Sequence, residues 1–148
     1  MSAHMSEMPV GTYKKGHRHP AGTHVFIVTG HGYSITWYAG DKDFERVDWK
    51  HGMLFPPCQD QFHQHFNTSK EPARYLATGM GNVRYPFTAA NRAVMIGSKG
   101  DKRQRSSLSL KEGGNQVEYD EQDPRVHPLW LSEMKKNGVE PKMEKWIK

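Results

Sequence analysis

Val25-Phe26-Ile27-Val28-Thr29, Gly30-His31-Gly32, Tyr33-Ser34-Ile35-Thr36-Trp37-Tyr38: two β-branched and aromatic runs flank a glycine-rich turn. Such residues fit the pleated, half-buried surface of a sheet. Ala39-Gly40-Asp41-Lys42 reads as the next turn, and Phe44 to Trp49 alternates again. Met53-Leu54-Phe55, a Pro56-Pro57 break, Gln61 to Asn67, a polar turn from Thr68 to Pro72, and Ala73 to Thr78 complete the series. No helical period intervenes between Val10 and Met80. Strands this short and this regularly spaced predict an all-β sandwich or barrel.

Thirteen of the sixteen aromatic residues precede residue 99, which places the core in residues 1–98. The remainder, 99–148, reads as a polar loop and a C-terminal helical extension packing on the barrel or on a partner subunit. Asp123 can cap that helix, Pro124 suits its first position, and Lys135, Lys136 and Gly138 suit its end. Leu129, Trp130 and Met134 provide its apolar stripe.

The chain has 148 residues and a formal charge of +5, split as +3 over residues 1–98 and +2 over the rest. Its basic cluster, Lys99, Lys102, Arg103 and Arg105, is interrupted by Asp101 and has no interleaved aromatics. That argues for a solvated loop and against a nucleic-acid partner. No stretch approaches the ~20 apolar residues of a membrane span. A single cysteine, Cys58, excludes an internal disulfide, and a reduced cytoplasmic protein is expected.

Nine histidines stand out by their spacing. In His17-Arg18-His19, side chains at i and i+2 of a strand point to one face, where two imidazoles can reach one metal. His24 opens the run His24-Val25-Phe26-Ile27-Val28 and would share its face with Phe26 and Val28. Later, His63, His65 and Asn67 share one face of a strand. An inward face of that composition is costly unless every polar group finds a partner. Together these strands predict a metal site. His4, His31, His51 and His127 read as structural or solvent-facing, and Cys58 as an unreactive thiol.

Gly16-His17-Arg18-His19, four residues, His24 and then Gly30 resemble the first motif of the cupin superfamily. Pro57 through His63-Gln64-His65-Phe66-Asn67 resembles the second. Within that superfamily the chain is similar to small single-domain cupins called ethanolamine ammonia-lyase-activating proteins, a label that describes no mechanism. The resemblance, covering roughly residues 8–90, implies a double-stranded β-helix (a jelly-roll barrel). It implies His17, His19, His24 and His63 as metal ligands. His24 stands where the motif has Glu. The second motif is one residue longer than usual, which leaves either His63 or His65 as its ligand. Only sixteen residues precede the first motif, so the opening strands look short and a homodimer is expected.

An all-imidazole ligand set leaves the charge of a divalent ion uncompensated and favours a small anionic or enolisable substrate. Fe(II) is favoured, with Mn, Ni, Cu or Zn as alternatives. The leading expectation is a mononuclear non-haem dioxygenase-type oxidoreductase. His65 would then be general base and Asn67 its orienting partner, with Phe26, Val28, Tyr33, Trp37 and Phe55 around the substrate. The alternatives are a non-redox isomerase or lyase, a ligand-binding module without turnover, and a structural zinc site.

Overall fold

The computed structural model describes residues 2–19, 22–79 and 108–147. The cluster Lys99, Lys102, Arg103 and Arg105 and the expected boundary at 98/99 lie outside the described residues. Among the described residues, nine strands and one α-helix follow in order: β1 (Ser2–Met8), β2 (Gly16–His17), β3 (Thr23–Thr29), β4 (His31–Trp37), β5 (Glu45–Lys50), β6 (Leu54–Phe55), β7 (Phe62–Asn67), β8 (Ala73–Gly79), β9 (Gln116–Val117) and α1 (Val126–Asn137).

Strand pairing identifies the architecture. β1 pairs with β8, β2 with β7, β3 with β6 and β4 with β5, all antiparallel. The first eight strands thus behave as one long hairpin rolled into two facing sheets. Their orders are β1-β8-β3-β6 and β5-β4-β7-β2-β9. This is the topology of a jelly roll, and the chain is a cupin-like barrel with a C-terminal helix. The opening of the chain is not short of strands: Ser2–Met8, unassigned from sequence because it is polar and alternates weakly, pairs along its whole length with β8.

Two apolar clusters separate the barrel's inside from its outside. Met8, Val25, Ile27, Trp49, Phe55, Ala73, Tyr75 and Ala77 fill the space between the sheets. Tyr13, Tyr33, Ile35 and Phe66 point the other way, out of the five-stranded sheet, against Val126, Trp130 and Met134 of α1. These three recur every four residues and make one helix face. The Trp130 indole N–H also donates to the Asn67 carbonyl at 3.2 Å.

Asp123 Oδ1 accepts from the Arg125 N–H at 2.8 Å, holding the turn that leads into α1. At the other end Gly138 adopts φ 62°, and its N–H reaches the Lys135 and Met134 carbonyls. A left-handed residue closing the last turn is an ordinary role for glycine. Gly32 answers a tighter demand: a Cβ there would sit 1.9 Å from the Phe66 carbonyl oxygen across the β4–β7 pair. Among the described residues, no helix is long and apolar enough to cross a membrane.

Candidate metal centre

His17 and His63 are directly opposed across the β2–β7 pair, and their ring centroids are 4.5 Å apart. β2 ends at His17, so His19 reaches the same place from a loop. Its carbonyl accepts from the Asp60 N–H at 3.1 Å, and its ring lies 4.8 Å from that of His63. Potential ligand atoms of His17, His19 and His63 all lie within 4.8 Å of one another. Three nitrogens at ~2.0–2.1 Å from one ion fit within that spread.

The ring nitrogens are also presented correctly. His63 donates Nδ1–H to the Gln61 carbonyl at 3.0 Å, and His17 makes a longer contact of the same kind, 3.4 Å to the Lys15 carbonyl. A carbonyl can only accept, so each bond puts the proton on Nδ1 and leaves the Nε2 lone pair for a metal. The Thr23 hydroxyl stands 3.2 Å from His19 Nε2. Burial and the neighbouring His19 lower the His17 pKa to about 4. Burial first, then His17 and His19, hold His63 well below the ordinary histidine value. Both imidazoles are therefore neutral at physiological pH, the form that ligates metals.

His65 is 3% exposed and lies beside the triad, 5.4 Å from the His63 ring. Trp49 Nε1–H donates to Ser34 Oγ at 2.9 Å, and Ser34 Oγ is 2.7 Å from His65 Nδ1. Ser34 Oγ can accept from Trp49 and either accept from or donate to His65 Nδ1, so the contact fixes the position of the ring in either tautomer. The expectation that His65, as general base, titrates near neutrality needs correction. Burial and the adjacent His63 hold His65 well below the ordinary histidine range, so it does not titrate near neutrality.

Asn67 does not orient His65 either. Its Nδ2 donates to the Met8 and Glu71 carbonyls at 3.0 Å, and its Oδ1 accepts from Ser69 N–H and Oγ–H. It ties the end of β1 to the turn after β7. Ser34, which the sequence reading missed, does the orienting. Its signal was a polar residue alternating with Tyr33 and Ile35.

The fourth expected ligand also moves. His24 is exposed, because β3 turns Val25 and Ile27 inward (2% and 1% exposed). His24 and Phe26, the latter 40% exposed, lie on the outer face, with half-buried Val28 beyond them. Tyr33 and Trp37 belong to the outer face of the five-stranded sheet: Tyr33 stacks on Phe66 and Trp37 on Phe62. Of the five expected pocket residues only Phe55 stands near the histidines, edge-on to His65 at 5.6 Å. Cys58 is exposed.

No family model matches this chain and no curated protein matches it. Solved structures similar to it include the Drosophila melanogaster CENP-C cupin domain, at 6% identity and TM-score 0.49 over 53% of this chain and 56% of that one. A predicted oxalate decarboxylase from Thermotoga maritima aligns at 20% identity and TM-score 0.44, covering 53% of this chain and 64% of the other. The capsular polysaccharide assembling protein CapF from Staphylococcus aureus aligns at 12% identity and TM-score 0.48, over 57% and 26%. In each case the match spans less than two thirds of the other protein. The fold assignment rests on the strand pairing.

Proposed function

We propose that this protein is a metal-dependent enzyme in which His17, His19 and His63 hold one divalent ion. The observation that carries this reading is the convergence of three imidazoles within 4.8 Å with no carboxylate in the set. One buried and two half-buried imidazoles brought together, with the Nε2 lone pairs of His17 and His63 left free by their carbonyl contacts, are costly to build for stability alone. Within this reading the activity is that of a mononuclear non-haem oxygenase, with Fe(II) favoured, acting on a small anionic or enolisable compound. The protein works as a homodimer in the cytoplasm, and light scattering that finds a 17.0 kDa monomer would remove the dimer.

A divalent ion there supplies Lewis acidity and, if redox-active, electrons for dioxygen chemistry. The chain supplies the rest. Gln61 and Lys15 carbonyls fix the tautomers of His63 and His17. Ser34 holds the His65 ring in place beside the site. Val25, Ile27 and Phe55 keep the interior poor in water, which strengthens every polar contact made there.

Elemental analysis of untagged protein purified without chelators tests this reading, beside His17→Ala and His63→Ala. About one equivalent of metal in the parent, lost in both folded variants, is expected; oxygen uptake with small organic acids follows. No metal in a folded parent overturns the reading. Unfolding of the variants together with stoichiometric zinc would replace it with a structural site.

A further inference from the structure

Lys14 lies three residues before His17, and simple alternation would turn it away from the metal face. The pairing with β7 is irregular, however. His17 opposes His63, whereas Tyr13 opposes Phe66. Three residues, Lys14, Lys15 and Gly16, thus face only two, Gln64 and His65. An extra residue in one strand is a β-bulge, a device that re-aims side chains. Here it puts Lys14 opposite His65, with Lys14 N–H donating to the His65 carbonyl at 3.0 Å. The Gln64 side-chain amide clamps the Lys14 carbonyl at 2.9 Å.

The consequence is a cation inside the barrel. Lys14 Nζ crosses to the opposite sheet and donates to the Tyr75 hydroxyl at 3.0 Å. Tyr75 is 5% exposed, and its ring lies 5.1 Å from that of His65. Lys15, turned the other way by the bulge, pairs with Glu118. No described carboxylate pairs with Lys14. A cavity of about 610 Å³, lined by Glu7, Thr12, Lys14, Lys15, His17 and Tyr119 among others, opens beside it.

We propose that Lys14 and the Tyr75 hydroxyl form an anion subsite that holds the second acidic group of a substrate whose first group binds the metal. The inference rests on the metal-centre reading above and narrows its substrate to small molecules bearing two anionic groups, such as dicarboxylates. An uncompensated divalent ion and the Lys14 ammonium together present three positive charges, while the nearby carboxylates are engaged elsewhere, Glu7 with Arg74 and Glu118 with Lys15. A dianion answers both at once, and the Tyr75 hydroxyl adds a donor to its far end.

The test uses the full chain loaded with Co(II), whose visible spectrum reports anion binding directly. Malonate and acetate are titrated into the parent, Lys14→Met, Lys14→Arg, Tyr75→Phe and, as a control, Lys15→Met. The parent should bind malonate at least tenfold more tightly than acetate. Lys14→Met should lose that preference while keeping its Co(II) stoichiometry and its acetate affinity. Lys14→Arg and Lys15→Met should retain it, and Tyr75→Phe should lose severalfold. If Lys14→Met fails to fold, Tyr75→Phe decides. Undiminished malonate affinity in Lys14→Met, or in Tyr75→Phe where that variant decides, overturns the subsite. Failure of the parent to bind Co(II) overturns the metal reading instead.

Discussion

Acid should weaken the metal-free fold through His63 and His65, and the size of the effect can be worked out. The two residues are 2% and 3% exposed, and burial holds both well below the ordinary histidine value of 6.5. In the unfolded chain both titrate near 6.5. Below that pH the unfolded state binds more protons than the folded one, so stability falls as pH falls; above it, these groups contribute no pH dependence. Each contributes about 1.36 kcal/mol per pH unit. Between pH 7.5 and 5.0, with both rings staying neutral in the folded state, that integrates to about 2 kcal/mol each, or about 4 kcal/mol for the pair. His17, lowered to about 4, acts in the same direction. Glu118 and Asp123 are held below their ordinary values of 4.5 and 3.8, so their contribution is lost only at lower pH. A loss of about 4 kcal/mol is a large share of the ~5–15 kcal/mol that holds a domain together. Urea unfolding followed by tryptophan fluorescence, with chelator present at pH 7.5, 6.5, 5.5 and 5.0, measures it. His65→Asn should remove about a third of the slope, since His17, His63 and His65 share it. A midpoint that does not move between pH 6.5 and 5.0 would refute the assignment of these imidazoles as buried and neutral.

Trp130→Ala should cost about 3–5 kcal/mol in urea unfolding, because a fully buried indole is lost from the helix–sheet interface. Metal content should survive in the folded fraction, since α1 covers the face opposite the histidines. Ser34→Ala leaves His65 Nδ1 and the Trp49 indole N–H without their shared partner and should cost about 1–3 kcal/mol; elemental analysis should still find one equivalent of metal. His24→Ala should bind metal as the parent does, because His24 is exposed on the outer face of β3. A stoichiometry that fell with His24→Ala would return it to the ligand set.

Several of these residues were legible in the sequence and several were not, for identifiable reasons. His17, His19 and His63 stand out because an i, i+2 histidine pair and a second histidine-bearing strand recur in a chain otherwise read as short β-rich runs. The phase of β3 was misread because both of its faces are apolar: Val25 and Ile27 compete with Phe26 and Val28. Period-2 alternation cannot choose between two hydrophobic faces. Tyr33 and Trp37 were placed inside for a different reason: with Ile35 they form the apolar face of a strand whose other face carries Ser34 and Thr36. α1 makes the outer face of their sheet as dry as the inner one, and a helix 90 residues downstream leaves no mark on the local pattern of β4.

What the sequence determined by itself is the class of the fold and the chemistry available to it. The spacing of β-formers and turns demands strands, and imidazole-bearing positions on two separate segments offer a neutral ligand set. What only the tertiary structure decided is which way those side chains point. The β3 phase excludes His24 because the opposing sheet buries Val25 and Ile27. The bulge before β2 brings Lys14 to the histidine face by adding one residue against β7. Ser34 reaches His65 because β4 and β7 are neighbours in the sheet. Each is a matter of register between strands distant in sequence. A one-residue change in register reverses the direction of every side chain beyond it.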